Sequence, residues 1–454
     1  MKRFVVPLIA MIALPLLGGC KSKSTQTQNP NIKTAYTGFR LIDGAGDTPI
    51  ANAVMVVENG RIQAVGPVGR IQVPTDAVVV DLGGKTVMPG LISNHNHIGA
   101  VEGMKVSVAN YNRANILNEL RQYTHYGVTT TTALGVNTDL FYEIRKDLRE
   151  GREAGADLFG ADRGIGYGNG APPLPKDFNG PAVARVTNAQ TARDRVRTMK
   201  ERGADLIKIW VDDFLGTLPK MPGGIYRAII DEAHTQKIRV AAHVYTAADA
   251  TALARAGVDI LAHGIREGDA DAGLIALMKE KNIAYVPTLG VDESFYTYAE
   301  HPEWMADPFF IQALSAPLAE ALKDAGQMKA LIKNPTTETR RRAVKQNQKN
   351  TVKLFKAGVL VGFGTDSGAN PWRIPGWAEH RELELLVQAG LTPLEAIRTA
   401  TFNAAQLLGL EDRGALRPGR RADFIVLTKD PAQNILHTRS IDAVYHAGRK
   451  VERP

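Results

Sequence analysis

Residues 87–97 read VMPGLISNHNH, an apolar run that ends in two histidines separated by one residue. Pro89 and Gly90 interrupt the run near its start, and the apolar residues that follow suit a short buried strand. Side chains two residues apart in a strand point to the same side, so His95 and His97 would face the same way. The stretch predicts a buried strand that presents two imidazoles at its carboxyl end.

Similar strand-like runs recur along the chain and alternate with helix-like amphipathic stretches. The eight strand candidates are 89–97, 127–135, 156–164, 206–211, 239–245, 258–264, 283–289 and 360–367. Helix-like stretches between them include 114–126, 191–202, 226–236, 247–256 and 272–281. This alternation is typical of parallel α/β proteins, and eight repeats predict a TIM-like (β/α)8 barrel over residues 88–411. The active site of such a barrel lies at the carboxyl ends of its strands.

Both ends of the chain outside the barrel have a different, β-rich pattern. Residues 35–87 contain short alternating apolar runs separated by the hairpin signals Asn59-Gly60 and Gly83-Gly84. Residues 412–454 resume this pattern. We expect the two ends to pair into one small β-sandwich domain, and two unrelated extensions are the alternative.

The amino terminus has the pattern of an export signal. Lys2 and Arg3 precede an uncharged apolar run, 4–17, which suits a signal peptide and is too short to span a bilayer. Cys20 is the only cysteine in the chain. Residues 17–20, LGGC, resemble a bacterial lipobox, in which the cysteine is lipidated, although Gly18 stands where Ala or Ser is more frequent.

The resemblance to a lipobox implies a processed and anchored protein. We expect residues 1–19 to be a signal peptide and residues 20–34 to form a lipidated Cys20 and a polar tether. By resemblance to lipoprotein sorting rules, Lys21 favours the outer membrane, which predicts a lipid-anchored protein at the periplasmic face. A plain secretory signal with an incidental cysteine is the alternative.

Composition limits the classes of function. With 44% hydrophobic and 22% charged residues among 454, the chain is not mainly disordered. The net charge of +8 is spread along the sequence, so we expect no nucleic-acid partner and a small-molecule substrate. The membrane would be contacted through the lipid anchor only, and a homo-oligomer remains open.

The residues with metal-binding chemistry lie where the predicted strands end. His95 and His97 end the first strand, and His243, His263 and Asp366 end the fifth, sixth and eighth. Imidazole and carboxylate groups are the ligands that zinc and similar divalent metals prefer. The alternative is that these are core histidines with satisfied hydrogen bonds. This interpretation is disfavoured because four histidines and one aspartate are predicted at the same rim of the barrel.

With this set of residues, the chain resembles the amidohydrolase superfamily, closest to the imidazolonepropionase-like and prolidase-like metal-dependent hydrolases. The resemblance runs from about residue 36 to the carboxyl terminus and rests on residues 87–92 before His95 and on the closing stretch 414–424. It implies that His95 and His97 hold the more buried metal with Asp366. It also implies that His243 and His263 hold a second metal ion.

Lys208 completes the set that the resemblance implies. The lysine lies between aliphatic neighbours in the fourth strand, where an inward-pointing cation is costly. Binuclear members of the superfamily carry a carboxylated lysine there, whose two oxygens bridge two divalent ions. The alternative is an unmodified lysine that extends to the barrel rim.

The expected reaction is hydrolysis of a C–N bond by metal-activated hydroxide. Asp366 would accept a proton and pass it to the leaving amine, and Tyr245 would bind the oxyanion, with aromatic packing as the alternative role for Tyr245. The substrate would be a peptide-like, N-acyl amino acid or cyclic amide. The alternatives are a lactonase or esterase, a phosphotriesterase, a mononuclear deaminase and a non-catalytic tethered binding lipoprotein. Thr246 disfavours the deaminase, because such enzymes usually have Glu there.

Other candidate residues lie in loops. Arg163, Tyr167 and Asn169 belong to a glycine-rich region after the third strand, and we expect them to contact substrate. His380 precedes an amphipathic helix and would either reach the site or cap that helix. About 70 residues separate the last two strands, which predicts a lid over the site, with a peripheral helical pair as the alternative.

Overall fold

The computed structural model describes residues 32–46 and 48–452. The predicted signal peptide and Cys20 lie outside these residues, as does most of the predicted tether. The strands are β1 Thr34–Leu41, β2 Ile50–Glu58, β3 Arg61–Pro67, β4 Val78–Asp81, β5 Thr86–Pro89, β6 Leu91–Asn96, β7 Val101–Glu102, β8 Lys105–Val106, β9 Val128–Ala133, β10 Asp157–Gly160, β11 Ile165–Tyr167, β12 Ala184–Val186, β13 Ile207–Trp210, β14 Val240–His243, β15 Ile260–Ala262, β16 Ala284–Val286, β17 Phe424–Leu427, β18 Ile441–His446 and β19 Arg449–Lys450.

The α-helices are α1 Arg113–His125, α2 Leu140–Arg149, α3 Ala189–Glu201, α4 Gly223–Thr235, α5 Ala247–Ala256, α6 Ala272–Glu280, α7 Gly290–Glu293, α8 Thr297–Glu300, α9 Pro308–Ile311, α10 Ala316–Lys323, α11 Ala325–Lys333, α12 Thr337–Lys356, α13 Trp377–Ala389, α14 Pro393–Arg398 and α15 Ala404–Leu408. None of these helices is both long enough and apolar enough to cross a bilayer, within the part of the chain that the structure describes.

Seven strands of the central barrel pair in parallel in the order β6, β9, β10, β13, β14, β15 and β16. Residues 360–367 complete the ring as an eighth, irregular segment. The Tyr285 N–H donates to Leu360 O at 2.9 Å on one side, and the Asn94 N–H donates to Phe363 O at 2.6 Å on the other. The predicted (β/α)8 barrel is confirmed.

The helices around the barrel begin where the sequence supplies capping residues. The side chains of Asn112, Asn188 and Asp271 each accept a hydrogen bond from a backbone N–H three residues later, at the start of α1, α3 and α6. Such a cap stabilises a helix by about 1 kcal/mol. Gly257 ends α5 in the left-handed conformation, φ 86°, which glycine adopts without a steric penalty. The helices predicted at these places are therefore present.

The two ends of the chain form one sheet in the order β19-β18-β17-β5-β1-β2-β3, with β4 paired to β1. Strand β5 from the amino-terminal part and β17 from the carboxyl-terminal part pair in antiparallel fashion. The predicted Asn59-Gly60 turn joins β2 to β3, with φ of 53° and 72°. The expected sandwich is thus one continuous sheet, because β5 and β17 link its two halves through hydrogen bonds.

Ion pairs join this sheet to the barrel. Asp157, the first residue of β10, accepts hydrogen bonds from Arg413 and Arg421 and lies 3.2 Å from His446 Nε2. The pKa of Asp157 is held well below its usual range, because His446 and the two guanidinium groups outweigh the opposing effect of burial. This contact fixes the position of the sheet against the bottom of the barrel.

Candidate metal centre and active-site cavity

His95, His97 and Asp366 form a compact, buried group of possible metal ligands. His95 Nε2 lies 3.2 Å from Asp366 Oδ1, and His97 Nε2 lies 3.0 Å from the same oxygen. The ligand atoms of all three residues lie within 4.8 Å of one another. Two atoms bound to one tetrahedral zinc ion at about 2.1 Å are about 3.4 Å apart, so the spacing suits a shared metal.

His243 and His263 extend this group from the neighbouring strands. His243 ends β14, and His263 follows β15 directly. The ring centroids of His95 and His263 are 4.3 Å apart, and those of His263 and His243 are 4.4 Å apart. Four imidazoles and one carboxylate from the ends of distant strands therefore meet at one point, as the sequence predicts.

Hydrogen bonds orient three of the four imidazoles. His97 Nδ1 lies 3.1 Å from Gly135 O, and His263 Nδ1 lies 2.8 Å from Thr288 Oγ1, so Nε2 of each ring is directed to the centre. His243 Nε2 bonds Asp212 Oδ2 at 2.8 Å, which leaves Nδ1 as its ligand atom. Partners of this kind fix the ring orientation and the tautomer of metal-binding histidines.

The protonation states also suit cation binding. Burial lowers the pKa of His95, His243 and His263, which keeps their imidazoles neutral. Burial opposes ionisation of Asp366, but Arg373 and the adjacent imidazoles hold the pKa of its carboxyl well below the usual range. Neutral imidazole and ionised carboxylate are the forms that bind metals.

Lys208 points into the same centre from the middle of β13. It is fully buried, and its Nζ lies 3.4 Å from His95 Nε2. Burial lowers the pKa of Lys208 to about 7, so a large part of this amine is neutral at neutral pH. Gly135 and Gly164 leave space around the side chain, since a Cβ on either would lie within 3.4 Å of a Lys208 carbon.

A polar network behind the centre supports Asp366. Thr365 Oγ1 donates to Glu379 Oε1 at 2.6 Å, and Ser367 Oγ donates to the same oxygen at 2.8 Å. Tyr123 shares a 2.7 Å hydrogen bond with Ser367 Oγ. Asp366 itself has φ 59°, an uncommon conformation for a residue other than glycine, which this network holds in place.

A cavity of about 560 Å³ lies over the histidines and Asp366 and has two unlike walls. One wall is mainly apolar and comes from the first four strands and the loops after them; it includes Val136, Pro172, Leu174, Trp210, Phe214 and Leu215, together with the carboxylate of Asp212. The opposite wall comes from the later strands and from the long segment between β16 and residues 360–367, and it carries Arg266, Arg340, Arg373, Asp292 and Phe295. The cavity has the size of a small-molecule site.

Tyr245 lies at the cavity, as the sequence predicts. The side chain is half-buried, and the Arg266 guanidinium carbon lies 4.5 Å from the centre of its ring. Burial and the nearby Asp292 raise the pKa of the Tyr245 phenol, so the hydroxyl keeps its proton and can donate a hydrogen bond. The catalytic role of Tyr245 stays a prediction.

The four predicted substrate contacts do not line this cavity. Arg163 bonds Asp139 at 2.7 Å and Gly180 O at 2.9 Å. Tyr167 packs outward against the apolar core beside β11, and Asn169 is exposed. The three residues do follow the third barrel strand, β10, but none of them is among the residues that line the cavity.

His380 is also a structural residue in this fold. It is fully buried in α13, where Nδ1 lies 2.9 Å from Thr438 Oγ1 and Nε2 lies 2.9 Å from Tyr126 O. Both ring nitrogens therefore hold the helix against neighbouring elements and not against the cavity. This outcome corrects the prediction that His380 contacts substrate.

Several residues of the site were missed in the sequence. Asp212, Thr288 and Arg373 each follow a barrel strand by a few residues, and each contacts a candidate ligand. Their position shortly after a barrel strand could have identified them as candidate site residues in the sequence. Arg340 comes from α12 in the long segment between the last two strands, where the sequence offers no comparable signal.

The barrel and the group of imidazoles at its rim define a hydrolase class with a candidate metal site. The family model described as "Amidohydrolase family" matches residues 86–451, so the chain belongs to the amidohydrolase family. The predicted resemblance is confirmed, and so is the prediction of a hydrolase for C–N bonds at the level of this family.

Curated relatives support the same family, and a solved structure supports the fold. The chain is 27% identical to an ochratoxinase from Aspergillus niger, over 92% of this chain and 86% of that protein. It is 26% identical to an imidazolonepropionase from Deinococcus radiodurans, over 88% of this chain and 92% of that protein. The structure of a Xaa-Pro dipeptidase with bound methionine shares the fold, with a TM-score of 0.73 and 24% identity over 93% of this chain and all of that one.

Proposed function

We propose that the protein is a binuclear metal-dependent amidase that uses two divalent ions, of which zinc fits best, bridged by carboxylated Lys208. The observation that carries this proposal is the convergence of four imidazoles, Asp366 and Lys208 at one end of a cavity, which His97, His243, His263 and Asp366 line and beneath which His95 and Lys208 are buried. An unmodified lysine cation at this depth would be costly. Carboxylation converts it into an anion that pairs with metal ions.

The residues present fit this pair of ions. His95, His97 and Asp366 would hold one ion, and His243 and His263 would hold the other, with the Lys208 carboxylate shared between them. His95 Nε2 lies 3.2 Å from Asp366 Oδ1 and 3.4 Å from Lys208 Nζ, so Nε2 is the ring atom of His95 that would face the ions. When bound, two such ions supply activated water and polarise the substrate carbonyl.

The chain's own groups handle the protons of the reaction. Hydrolysis adds a water oxygen to the carbonyl carbon, breaks the C–N bond and moves one proton to the amine. Asp366 adjoins the cavity, so we assign to its carboxylate the transfer of the water proton to the leaving nitrogen. Tyr245 keeps its hydroxyl proton and can donate it in a hydrogen bond to the oxyanion.

The relatives indicate the range of substrates to test. Their names include an ochratoxinase, an imidazolonepropionase and a Xaa-Pro dipeptidase, which supports peptide-like, N-acyl amino acid and cyclic amide substrates as candidates. Screening the metal-loaded protein against these amides, together with lactones and phosphotriesters, tests the substrate class. Turnover of lactones or phosphotriesters without any amide turnover would contradict the proposal.

The metal centre has a separate test. We expect about two zinc ions per chain by elemental analysis of protein loaded in the presence of bicarbonate. Lys208→Ala should lose most of the bound metal and activity, and added short-chain carboxylic acids should restore part of both. Lys220→Ala is the matched control, because Lys220 pairs with Asp213 and Asp249 outside the centre. One metal ion per chain with full activity would exclude the binuclear centre.

We also propose that the mature protein is tethered to the periplasmic face of the outer membrane through lipidated Cys20. The support is the sequence alone, through the lipobox-like stretch 17–20 and the polar residues that follow it. Full-length protein expressed in a bacterial host should fractionate with outer membranes, and Cys20→Ser should not take up labelled fatty acid. Equal labelling of both proteins would contradict the anchor.

A further inference from the structure

We infer that the small sheet rests on the surface of a lipid bilayer through an apolar edge formed by Ile32, Val78 and Val79. The inference goes beyond the amidase function, and it rests on the proposed tether through lipidated Cys20. Two observations carry it. Exposed apolar side chains are concentrated at this edge, and the edge lies only a short stretch of chain away from Cys20.

Exposed large apolar residues are concentrated in the amino-terminal part of the sheet. Nine such residues are exposed among residues 32–46 and 48–452, and five of these nine are Ile32, Val68, Val73, Val78 and Val79. The other four are spread over residues 215–436. Single exposed apolar residues are common on protein surfaces, whereas a concentration of them marks an interaction surface.

The pairing of β4 with β1 brings three of these side chains together. Val78 and Val79 lie opposite the first two residues of β1, and the Val78 N–H donates to Lys33 O at 2.9 Å. Ile32 directly precedes Lys33 in the chain. The three apolar residues are 47%, 52% and 57% exposed in chain order, so each presents about half of its surface to solvent.

The outer side of β4 is a free sheet edge. β4 pairs with β1 alone in the part of the chain that the structure describes. Soluble proteins commonly place charged residues, especially lysine, along such an edge, which discourages contact with other surfaces. Here β4 carries three valines, and Asp81 stands only at its end. The edge is therefore suited to contact with an apolar surface.

The loop 68–77 extends this surface next to the edge. Ile71 and Ala77 pack against a small apolar cluster on β1 and β2, which holds the loop in place. Val68 and Val73 of the same loop remain 51% and 38% exposed. The apolar side chains that point to solvent thus belong to a fixed part of the sheet domain.

The position of Cys20 in the sequence indicates what the edge meets. Eleven residues separate Cys20 from Ile32. A fully extended chain of this length spans at most about 40 Å, so a lipid on Cys20 keeps the edge within that distance of the bilayer. A contact too weak to hold a free protein becomes populated when a tether keeps the two surfaces close together. The bilayer is therefore the apolar surface that this edge encounters.

A second copy of the chain fits the edge less well. β4 has four residues, so two copies paired through it would form a short ladder that buries little surface. Stable protein interfaces bury at least about 1,200 Å². The test below nevertheless detects such pairing.

The contact with the bilayer should be apolar and not ionic. Lys33, the cation next to Ile32, pairs with Asp76 at 2.8 Å and lies 3.7 Å from Glu58. Its charge is therefore already balanced within the protein. Because salt screens ionic contacts and not apolar ones, the contact should persist at high ionic strength.

This arrangement also leaves the cavity accessible. The sheet is joined to the barrel at Asp157, the first residue of β10, and the candidate metal centre lies at the opposite ends of the barrel strands. Contact between the bilayer and the sheet edge therefore does not cover the cavity.

The test uses full-length lipidated protein in vesicles of phosphatidylethanolamine and phosphatidylglycerol that contain a nitroxide at the lipid headgroup. Lipidation blocks Cys20, the only cysteine, so Val79→Cys supplies a single thiol for a fluorophore. Ile332→Cys is the matched control, because Ile332 is also exposed but lies on α11, far from the sheet in the sequence. We expect nitroxide quenching at position 79 to be at least about threefold stronger than at position 332.

Two further measurements define the contact. Ile32→Ser combined with Val78→Ser should reduce the quenching at position 79 to the level of the control, because the apolar neighbours are lost. High salt should leave the quenching in the parent protein unchanged. Loss of quenching in high salt would show an ionic contact and would overturn the inferred apolar one.

The remaining outcomes separate the inference from the proposed tether. Equal quenching at positions 79 and 332 in lipidated protein would overturn the inference and leave the tether intact. Energy transfer between fluorophores on two molecules, without quenching by lipid, would show that a second copy covers the edge and would overturn the inference as well. Absence of fatty-acid uptake at Cys20 would overturn the tether and the inference together.

Discussion

Asp366 is held in its left-handed conformation by neighbours on both sides in the sequence. Thr365 and Ser367 donate to Glu379, and Arg373 contacts the Asp366 carboxylate from the cavity side. A φ of 59° is an unfavourable backbone conformation for Asp366, and these contacts stabilise it and hold the carboxylate in a single position. At the scale of single residues, the candidate metal centre depends on side chains that do not themselves bind metal.

Thr365→Val tests this support, because it keeps the side-chain shape and removes one hydroxyl. The Glu379 carboxylate then loses a buried donor, so we expect the free energy of unfolding to fall by about 1–2 kcal/mol and metal affinity to decrease. Urea unfolding and metal titration measure the two effects. Thr198→Val on the exposed face of α3 is the control and should change stability by less than about 0.5 kcal/mol. Unchanged metal affinity in Thr365→Val would contradict the supporting role.

Glu382 provides a prediction for pH. This carboxyl is fully buried and accepts the backbone N–H groups of Leu289 and Gly290 at 2.7 and 2.9 Å. Burial outweighs these bonds and raises the pKa of Glu382 to about 8, from an ordinary value of 4.5. A raised pKa in the folded state contributes stability that is complete below the unfolded pKa of 4.5 and is lost as pH rises through 8.

Glu382→Gln removes this titration. We expect the urea midpoint of wild type to fall more steeply between pH 5 and pH 9 than that of the variant. The comparison uses the difference between the two slopes, because other buried groups titrate in both proteins. Parallel slopes would show that Glu382 keeps an ordinary pKa in the folded protein.

At the scale of elements, close approach between two strand ends fixes the position of Lys208. Gly164, directly before β11, has φ 73°, and a Cβ there would lie 2.5 Å from Trp210 Cη2 and 3.4 Å from Lys208 Cβ. Trp210 in turn covers the Lys208 amine, whose Nζ lies 5.7 Å from its ring centre. Glycine is required here both for its backbone conformation and for the absence of a side chain.

Gly164→Ala should therefore displace Trp210 and disturb Lys208. Gly168→Ala is a matched control, since Gly168 also has a positive φ, 45°, but a Cβ there meets no atom within 4 Å. Both substitutions place alanine at a positive φ, which lowers the free energy of unfolding by about 1–2 kcal/mol. Only Gly164→Ala should also lose bound metal and shift the tryptophan fluorescence. Equal metal content in the two variants would contradict this account.

At the scale of the whole molecule, the sheet made by both chain ends is joined to the barrel through Asp157. The side chains of Arg413 and Arg421 are 8% and 16% exposed at this joint, so the Asp157 carboxylate is needed to stabilise their buried positive charges. Asp157→Asn should lower the free energy of unfolding by about 3 kcal/mol, because it leaves two buried cations with less compensation. Asp139→Asn, whose side chain is 67% exposed, should cost less than about 1 kcal/mol.

Chemical unfolding monitored by circular dichroism compares these two variants. Activity per folded molecule should stay near that of wild type in Asp157→Asn, because the joint lies at the end of the barrel away from the candidate metal centre. A loss of activity without a loss of stability would contradict a purely structural role for Asp157.

The sequence contains enough information to predict the barrel and its candidate metal ligands. His95, His243 and Asp366 each lie at the end of an apolar run, and parallel strands bring their carboxyl ends to one rim whatever the loops do. The predictions for Arg163, Tyr167 and His380 failed. Arg163 lies between two strands, and the sequence did not indicate that Tyr167 belongs to a strand, β11, or that His380 lies within helix α13.

The successful site predictions therefore concern residues at the ends of strands, because the alternation of side chains along a strand is a local property that can be seen in the sequence. Which residues of the loops and of helix α12 face the cavity depends instead on contacts between segments far apart in the chain. Arg340 lies 48 positions after Asp292 in the chain, yet the two form a contact of 3.1 Å. Such contacts depend on how α12 packs against the barrel, and packing between distant segments leaves no periodic pattern in the sequence.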